Sequence, residues 1–114
     1  MTEAKLVEAT DAFTLVAVRG RLDPEGVGDV ESKLTAETVA RRKPAVIDLV
    51  EVDFIGSIGI GMLIGIGRAM RTHRLGVAVV ATAIVKDVLD RLSIGELFPV
   101  VATRDEALRA LKLK

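Results

Sequence analysis

The chain has 114 residues, no cysteine, no Trp or Tyr, one histidine (His73), 50% apolar residues, and 16 basic side chains against 16 acidic ones. That length predicts one domain, residues 1–114, whose core is built from Val, Ile, Leu and Ala. The composition excludes disulfides, thiolate nucleophiles and thiolate or all-histidine metal sites, and it supplies neither the basic surface nor the stacking rings that nucleic acid needs.

No cofactor, metal or direct nucleic-acid partner is therefore expected. The small basic clusters, Arg41-Arg42-Lys43 and Arg68, Arg71 and Arg74, read as solvated helix ends and faces. The opening Met1–Lys5 has no apolar segment behind it, so no secretory signal is expected. The long apolar run Phe54–Gly67 would span only about 21 Å as a helix, short of a hydrocarbon core of ~30 Å, and it is rich in glycine. It reads as a buried element without membrane insertion, in a chain expected in the cytoplasm.

In chain order, Leu6–Ala9 and Phe13–Arg19 are β-favouring stretches that predict a hairpin, after which Gly20 interrupts the pattern. Asp23-Pro24 is a helix start, with a carboxylate for free first-turn amides and a ring suited to the first helical position. Val27, Val30 and Leu34 carry that helix to about Ala40, and Lys43-Pro44 breaks it. Ala45–Val50 predicts a strand leading through Glu51-Val52-Asp53 into the glycine-rich run, which predicts a helix over about 57–73 closed by Leu75-Gly76. Val77–Ala81 reads as a central strand. Ile84, Val85, Val88, Leu89 and Leu92 form an amphipathic stripe, with Asp87 and Arg91 paired on the opposite face. Phe98–Val101 predicts a short strand, and Thr103 to Glu106 a capping box opening a last helix with Ala107, Leu108 and Leu111 as its apolar side. The order ββαβαβαβα predicts an α/β fold: a mixed, mostly parallel sheet of about five strands with about four helices.

Phe54-Ile55-Gly56-Ser57-Ile58-Gly59-Ile60-Gly61 stands where a strand gives way to a helix, the place where open α/β sheets bind ligands. It lacks the third glycine of a dinucleotide fingerprint, the lysine of a P-loop and one glycine of an esterase elbow. His73 lies too far along the same helix to activate Ser57, about 24 Å at 1.5 Å per residue, which removes Ser–His hydrolysis. Read locally, these glycines supply positive φ and close packing, and Ser57 caps the helix. Gly61 and Gly65, four apart, are expected to pack on the sheet or a neighbouring helix. The other reading is a flat patch for a partner's helix, and solvent exposure of that face separates the two.

From Phe13 to Leu111 the chain resembles a STAS domain, the family of bacterial anti-sigma-factor antagonists. The resemblance rests on Gly20-Arg21-Leu22-Asp23, Val46-Ile47-Asp48-Leu49, the Phe54–Gly61 run with Gly65 beyond it, and Ser93-Ile94-Gly95-Glu96-Leu97-Phe98. It implies a non-enzymatic regulatory module that binds a serine-kinase anti-sigma factor of the GHKL type and is switched by phosphorylation of Ser57, with Asp23 near it in the fold. The partner surface it implies is Asp23, Gly56, Ser57, Ile58, Gly59, Ile60 and Gly61. The chain departs from the family pattern where Gly56 replaces the aspartate before the serine and Ile58 replaces a second hydroxyl. Ile58 makes the rim of the site more apolar, and Gly56 in place of the aspartate favours an alternative, a constitutive STAS adaptor of a signalling scaffold or lipid-transport ATPase. A small enzyme using Asp23, Asp48 and Ser57 has no base, metal cluster or lysine to complete a proton-transfer chain.

Overall fold

The computed structural model describes residues 1–112. Strands β1 (Glu3–Ala9) and β2 (Thr14–Leu22) form the antiparallel hairpin, followed by α1 (Pro24–Glu37), β3 (Ala45–Ile55), α2 (Ser57–Thr72), β4 (Val77–Val80), α3 (Ala83–Arg91), β5 (Val100–Val101) and α4 (Arg104–Ala110). The five strands lie in the order β1-β2-β3-β4-β5, with β2 to β5 parallel. The expected ββαβαβαβα order is thus the observed one.

Strand residues alternate between two cores, as a pleated sheet covered on both faces requires. Val16, Val18, Ile47, Leu49 and Val79 face α1, α2 and α3, while Leu15, Val46, Ala78 and Val80 face α4. Three crossover helices on one face follow from crossovers of one hand stepping steadily across the sheet. The short α4, of seven residues, covers only part of the other face. There Asp48, buried at 6% exposure, accepts from Arg104 Nε at 2.6 Å and from Val50 N–H at 2.9 Å, so its charge is paired and its second oxygen holds an irregular turn of β3.

Several boundaries differ from expectation, each for a physical reason. β2 does not stop at Arg19: it passes through Gly20, whose φ of +117° accommodates a register shift against β3, and continues to Leu22. β1 begins earlier, at Glu3, because an edge strand tolerates polar residues on its solvent side. α1 ends at Glu37, where Thr38 donates its hydroxyl to the Leu34 carbonyl, and a single 3₁₀ turn over Val39–Arg41 takes up the residues to Arg41. β3 runs on to Ile55, and β5 is only two residues long because buried Phe98 belongs to the loop before it. The α3 stripe is narrower than expected: Val85 and Leu89 are buried, whereas Ile84 and Leu92 are exposed. Arg74, not Gly76, takes the left-handed position after α2.

Two glycines of α1 test how tightly it sits on β2. A Cβ at Gly26 would lie 1.7 Å from the Arg21 carbonyl oxygen, whereas one at Gly28 meets nothing within 4 Å. Gly26→Ala is expected to lower stability by about 1–3 kcal/mol through overpacking, and Gly28→Ala to raise it by up to about 1 kcal/mol through helix propensity. Urea unfolding of both variants checks this, and equal shifts would show that the close approach of α1 to β2 does not select glycine.

Candidate functional site at the start of the second helix

β2 and β3 end side by side. Leu22 is paired with Ile55, and Gly56 N–H donates to the Leu22 carbonyl at 3.1 Å, so the chain leaves both strands at one place and enters α1 and α2 from there. Asp23 is the N-cap of α1, with Oδ1 accepting from Gly26 N–H at 2.8 Å. That bond, helped by the Arg21 guanidinium 3.5 Å from Oδ2, holds the Asp23 carboxyl below the ordinary carboxylate range.

At α2 the arrangement differs from expectation. Gly56, not Ser57, is the cap residue: its carbonyl accepts the Ile60 N–H at 3.0 Å, and Ser57 is the first helical residue. Gly56 has φ −103° and ψ −176°, an extended conformation open to any residue, so positive φ is not why glycine stands here. Having no side chain, it leaves the first-turn amides of α2 without the side-chain cap that α1 has. Ser57 is exposed beside those amides. His73 sits at the far end of α2, where its Nδ1 meets Arg42 at 3.0 Å.

The remaining predicted residues divide. Ile58 is exposed at 47% and Gly61 is exposed, while Ile60 is half-buried. Gly59 is buried: its Cβ would lie 2.8 Å from the Leu22 carbonyl oxygen, so its smallness seats α2 on the end of β2 and does not face outward. Gly67 likewise packs under the Phe98 ring. Gly61 and Gly65 do the reverse of what their spacing suggested. Both are exposed with nothing within 4 Å of a Cβ, and they line an open, largely apolar groove of about 450 Å³ between α1 and α2, with Val27, Thr35 and Ile58. The close-packing expectation for that face is therefore overturned.

Two residues absent from the predicted site belong to its rim. Phe54 is 39% exposed, its ring edge about 3.3 Å from where a Gly56 Cβ would be, and the Arg21 guanidinium lies 4.4 Å from the ring centroid. Their pairing across β2 and β3 depends on the register shift at Gly20, which the alternation of the sequence does not display. Among the described residues no three His, Asp or Glu side chains converge to hold a metal ion, and no helix is long and apolar enough to cross a membrane.

A model of the STAS domain family matches residues 4–107. No curated protein matches the chain. Among solved structures, an anti-sigma factor antagonist from Mycobacterium paratuberculosis is 28% identical with a TM-score of 0.78, over 96% of this chain and 94% of that one. A putative anti-sigma factor antagonist from Thermotoga maritima has a TM-score of 0.81 at 18% identity, over 92% of each chain. The Bacillus cell fate determinant SpoIIAA in its phosphorylated form has a TM-score of 0.68 at 17% identity, over 93% of this chain and 96% of that one, a likeness of fold. With nearly its whole length matched by the family, the chain belongs to the STAS domain family.

Proposed function

We propose that this protein is a non-enzymatic binding module of the cytoplasm that captures an anti-sigma factor with serine-kinase activity and is released when Ser57 is phosphorylated. The observation that carries the reading is an exposed serine in the first turn of a helix whose N-terminus has no side-chain cap, beside an ionised carboxylate and an apolar rim. The Mycobacterium paratuberculosis antagonist, alike over nearly the whole chain, supports the partner class. Phosphate at Ser57 would be received by the free amides and the helix dipole, adding about 1.5–2 negative charges without refolding. A partner surface seated on Ile58, Phe54 and the groove would then face a hydrated dianion next to Asp23, and desolvating both carboxylate and phosphate disfavours docking. The second reading, a constitutive adaptor, is favoured by Gly56 and Ile58, which stand in place of the family's acidic and hydroxyl residues. Affinity capture from the native cell with phosphosite mass spectrometry separates the two: a kinase with modified Ser57 supports the switch, a transport ATPase with unmodified Ser57 the adaptor.

Two variants of Ser57 test the switch on the captured kinase. Ser57→Asp is expected to weaken binding partially, since one carboxylate carries less charge than phosphate, while Ser57→Ala binds and stays bound. Equal affinities, measured by calorimetry, would count against charge gating.

Gly56→Asp is expected to fold and to speed Ser57 phosphorylation. The backbone there is extended, an aspartate is a good N-cap, and the nearest atoms to its Cβ belong to the exposed, movable Phe54 ring. An intact variant phosphorylated no faster than the parent would show that the aspartate is not the determinant, and a parent already modified efficiently would favour the antagonist over the adaptor.

Gly61→Ala and Gly65→Ala are each expected to stabilise the fold by up to about 1 kcal/mol, because no neighbour obstructs the new methyl group. If the groove receives the partner, the same changes weaken capture by about tenfold, which corresponds to about 1.4 kcal/mol of steric cost. Thermal unfolding and binding measured side by side would expose a stabilised protein with unchanged affinity, the result that removes the groove from the interface.

A further inference from the structure

β3 is much longer than the strand beside it. Its ladder with β4 runs from Ala45 opposite Val77 to Asp48 opposite Val80 and stops, because β4 ends and the chain turns through Thr82 into α3. β3 continues to Ile55, paired on its other side with β2 as far as Leu22. Within the segment from Leu49 to Ile55, Glu51, Val52, Phe54 and Ile55 pair with β2, register shifts leave Leu49, Val50 and Asp53 without a β2 partner, and the edge toward β4 is open throughout. Strand N–H and C=O groups point to both flanks, so an edge without a neighbour presents unbonded donors and acceptors. Among the described residues no loop backbone hydrogen-bonds to Glu51, Val52, Asp53 or Phe54.

A cleft of about 320 Å³ lies along this open edge, between Val50–Asp53 and the start of α3. Val52 and Val85, both 2% exposed, make an apolar floor, and Ile84 at 78% and Val50 at 46% leave apolar surface at its sides. Ile84 has no packing role that explains it there. Glu51 and Asp53 are exposed in the cleft wall, and neither has an ion-pair partner among the described residues.

We propose that this edge is a strand-addition site for an extended partner segment of alternating apolar and basic residues. The added segment takes the place that β4 vacates and bonds to the main chain of Glu51–Phe54. Its apolar side chains rest on Val52, Val85 and Ile84, and its Lys or Arg side chains lie opposite Glu51 and Asp53. Charge decides the occupant. Two carboxylates on a bare edge repel the same edge of a second copy, a common protection against self-pairing, and select a basic strand instead. The site lies on the strand that leads to Ser57 but requires no modification of that residue.

The test uses the whole chain, labelled with nitrogen-15, and a short capped peptide alternating lysine and valine. Binding is expected to shift the amide resonances of Glu51–Phe54 and Ile84 and to slow hydrogen exchange at Glu51–Phe54. The same peptide with every backbone nitrogen methylated keeps its charge and side chains but loses its donors, and it is expected not to bind. Glu51→Lys combined with Asp53→Lys, both exposed sites that leave the core intact, is expected to weaken the lysine peptide by about tenfold and to favour a glutamate–valine peptide instead. The proposal is overturned if the methylated peptide binds equally well, if the shifts fall on the groove between α1 and α2, or if the charge-reversed protein binds the lysine peptide unchanged. Resonance shifts at this edge on raising the protein concentration alone would make a second copy the occupant and overturn it as well.

Discussion

The arrangement depends on how closely two helices approach the end of one strand. The end of β2 is met by the first turn of α1 at Arg21 and by the first turn of α2 at the fully buried Leu22, and each contact requires a residue without a side chain. A Cβ at Gly26 would strike the Arg21 carbonyl, and one at Gly59 the Leu22 carbonyl and Cβ. Because the two helices close on neighbouring residues of one strand end, and Gly56 N–H bonds to the Leu22 carbonyl, their N-termini lie next to each other and so do Asp23 and the Gly56-Ser57 turn. Two helix N-termini bring two sets of free amides and two positive dipole ends to one edge of the sheet. The Asp23 carboxylate answers the first set and is stabilised in its charged form by doing so. Glycine leaves the second set unanswered by any side chain. The site is thus electrostatically asymmetric before any modification, and the side short of negative charge is the one that carries Ser57.

The glycines of α2 separate by what surrounds them, not by type. Gly59 and Gly67 face inward, toward Leu22 and Phe98, while Gly61 and Gly65 face open space. A helix interior tolerates the first pair because close packing offsets the loss of propensity. The second pair has no such compensation within the chain. Their propensity cost is not offset by packing among the described residues, which is the reason to test the groove between α1 and α2 as a contact surface.

What the sequence made legible was mostly local chemistry. Asp23-Pro24 announced α1 because a cap acts within one turn, and Thr103 announced α4 in the same way, its hydroxyl accepting from Glu106 N–H at 3.1 Å. The element order was readable from hydrophobic periodicity, since each strand buries both faces or one. Less legible were features fixed by non-local pairing. Gly20 looked like an interruption because alternation fails at a bulge, although the strand continues, and this concealed the meeting of Arg21 with Phe54. The length of β3 was obscured by Glu51 and Asp53, whose polarity reads as a loop when one edge of the strand has no neighbour. Spacing placed Gly61 and Gly65 on one face but carried no information about whether that face was covered. The place of Ser57 where β3 gives way to α2 was legible, while its position as first helical residue and not cap turned on the single bond from Ile60 N–H to the Gly56 carbonyl.

The rigidity of this corner bears on how a charge at Ser57 acts. The surrounding backbone is tied by the Gly56 to Leu22 hydrogen bond, by the Asp23 cap and by two glycine contacts that leave no room for sliding. A helix start held in this way has little freedom to move in response to a new dianion, and the uncapped amides already point where the anion would sit. The effect of phosphorylation would then be confined to the surface: negative charge is added beside Ile58 and Phe54 while the fold beneath them stays as it is. A switch of that kind needs no second conformation, only a partner whose contact surface must be desolvated against the place where the charge is added.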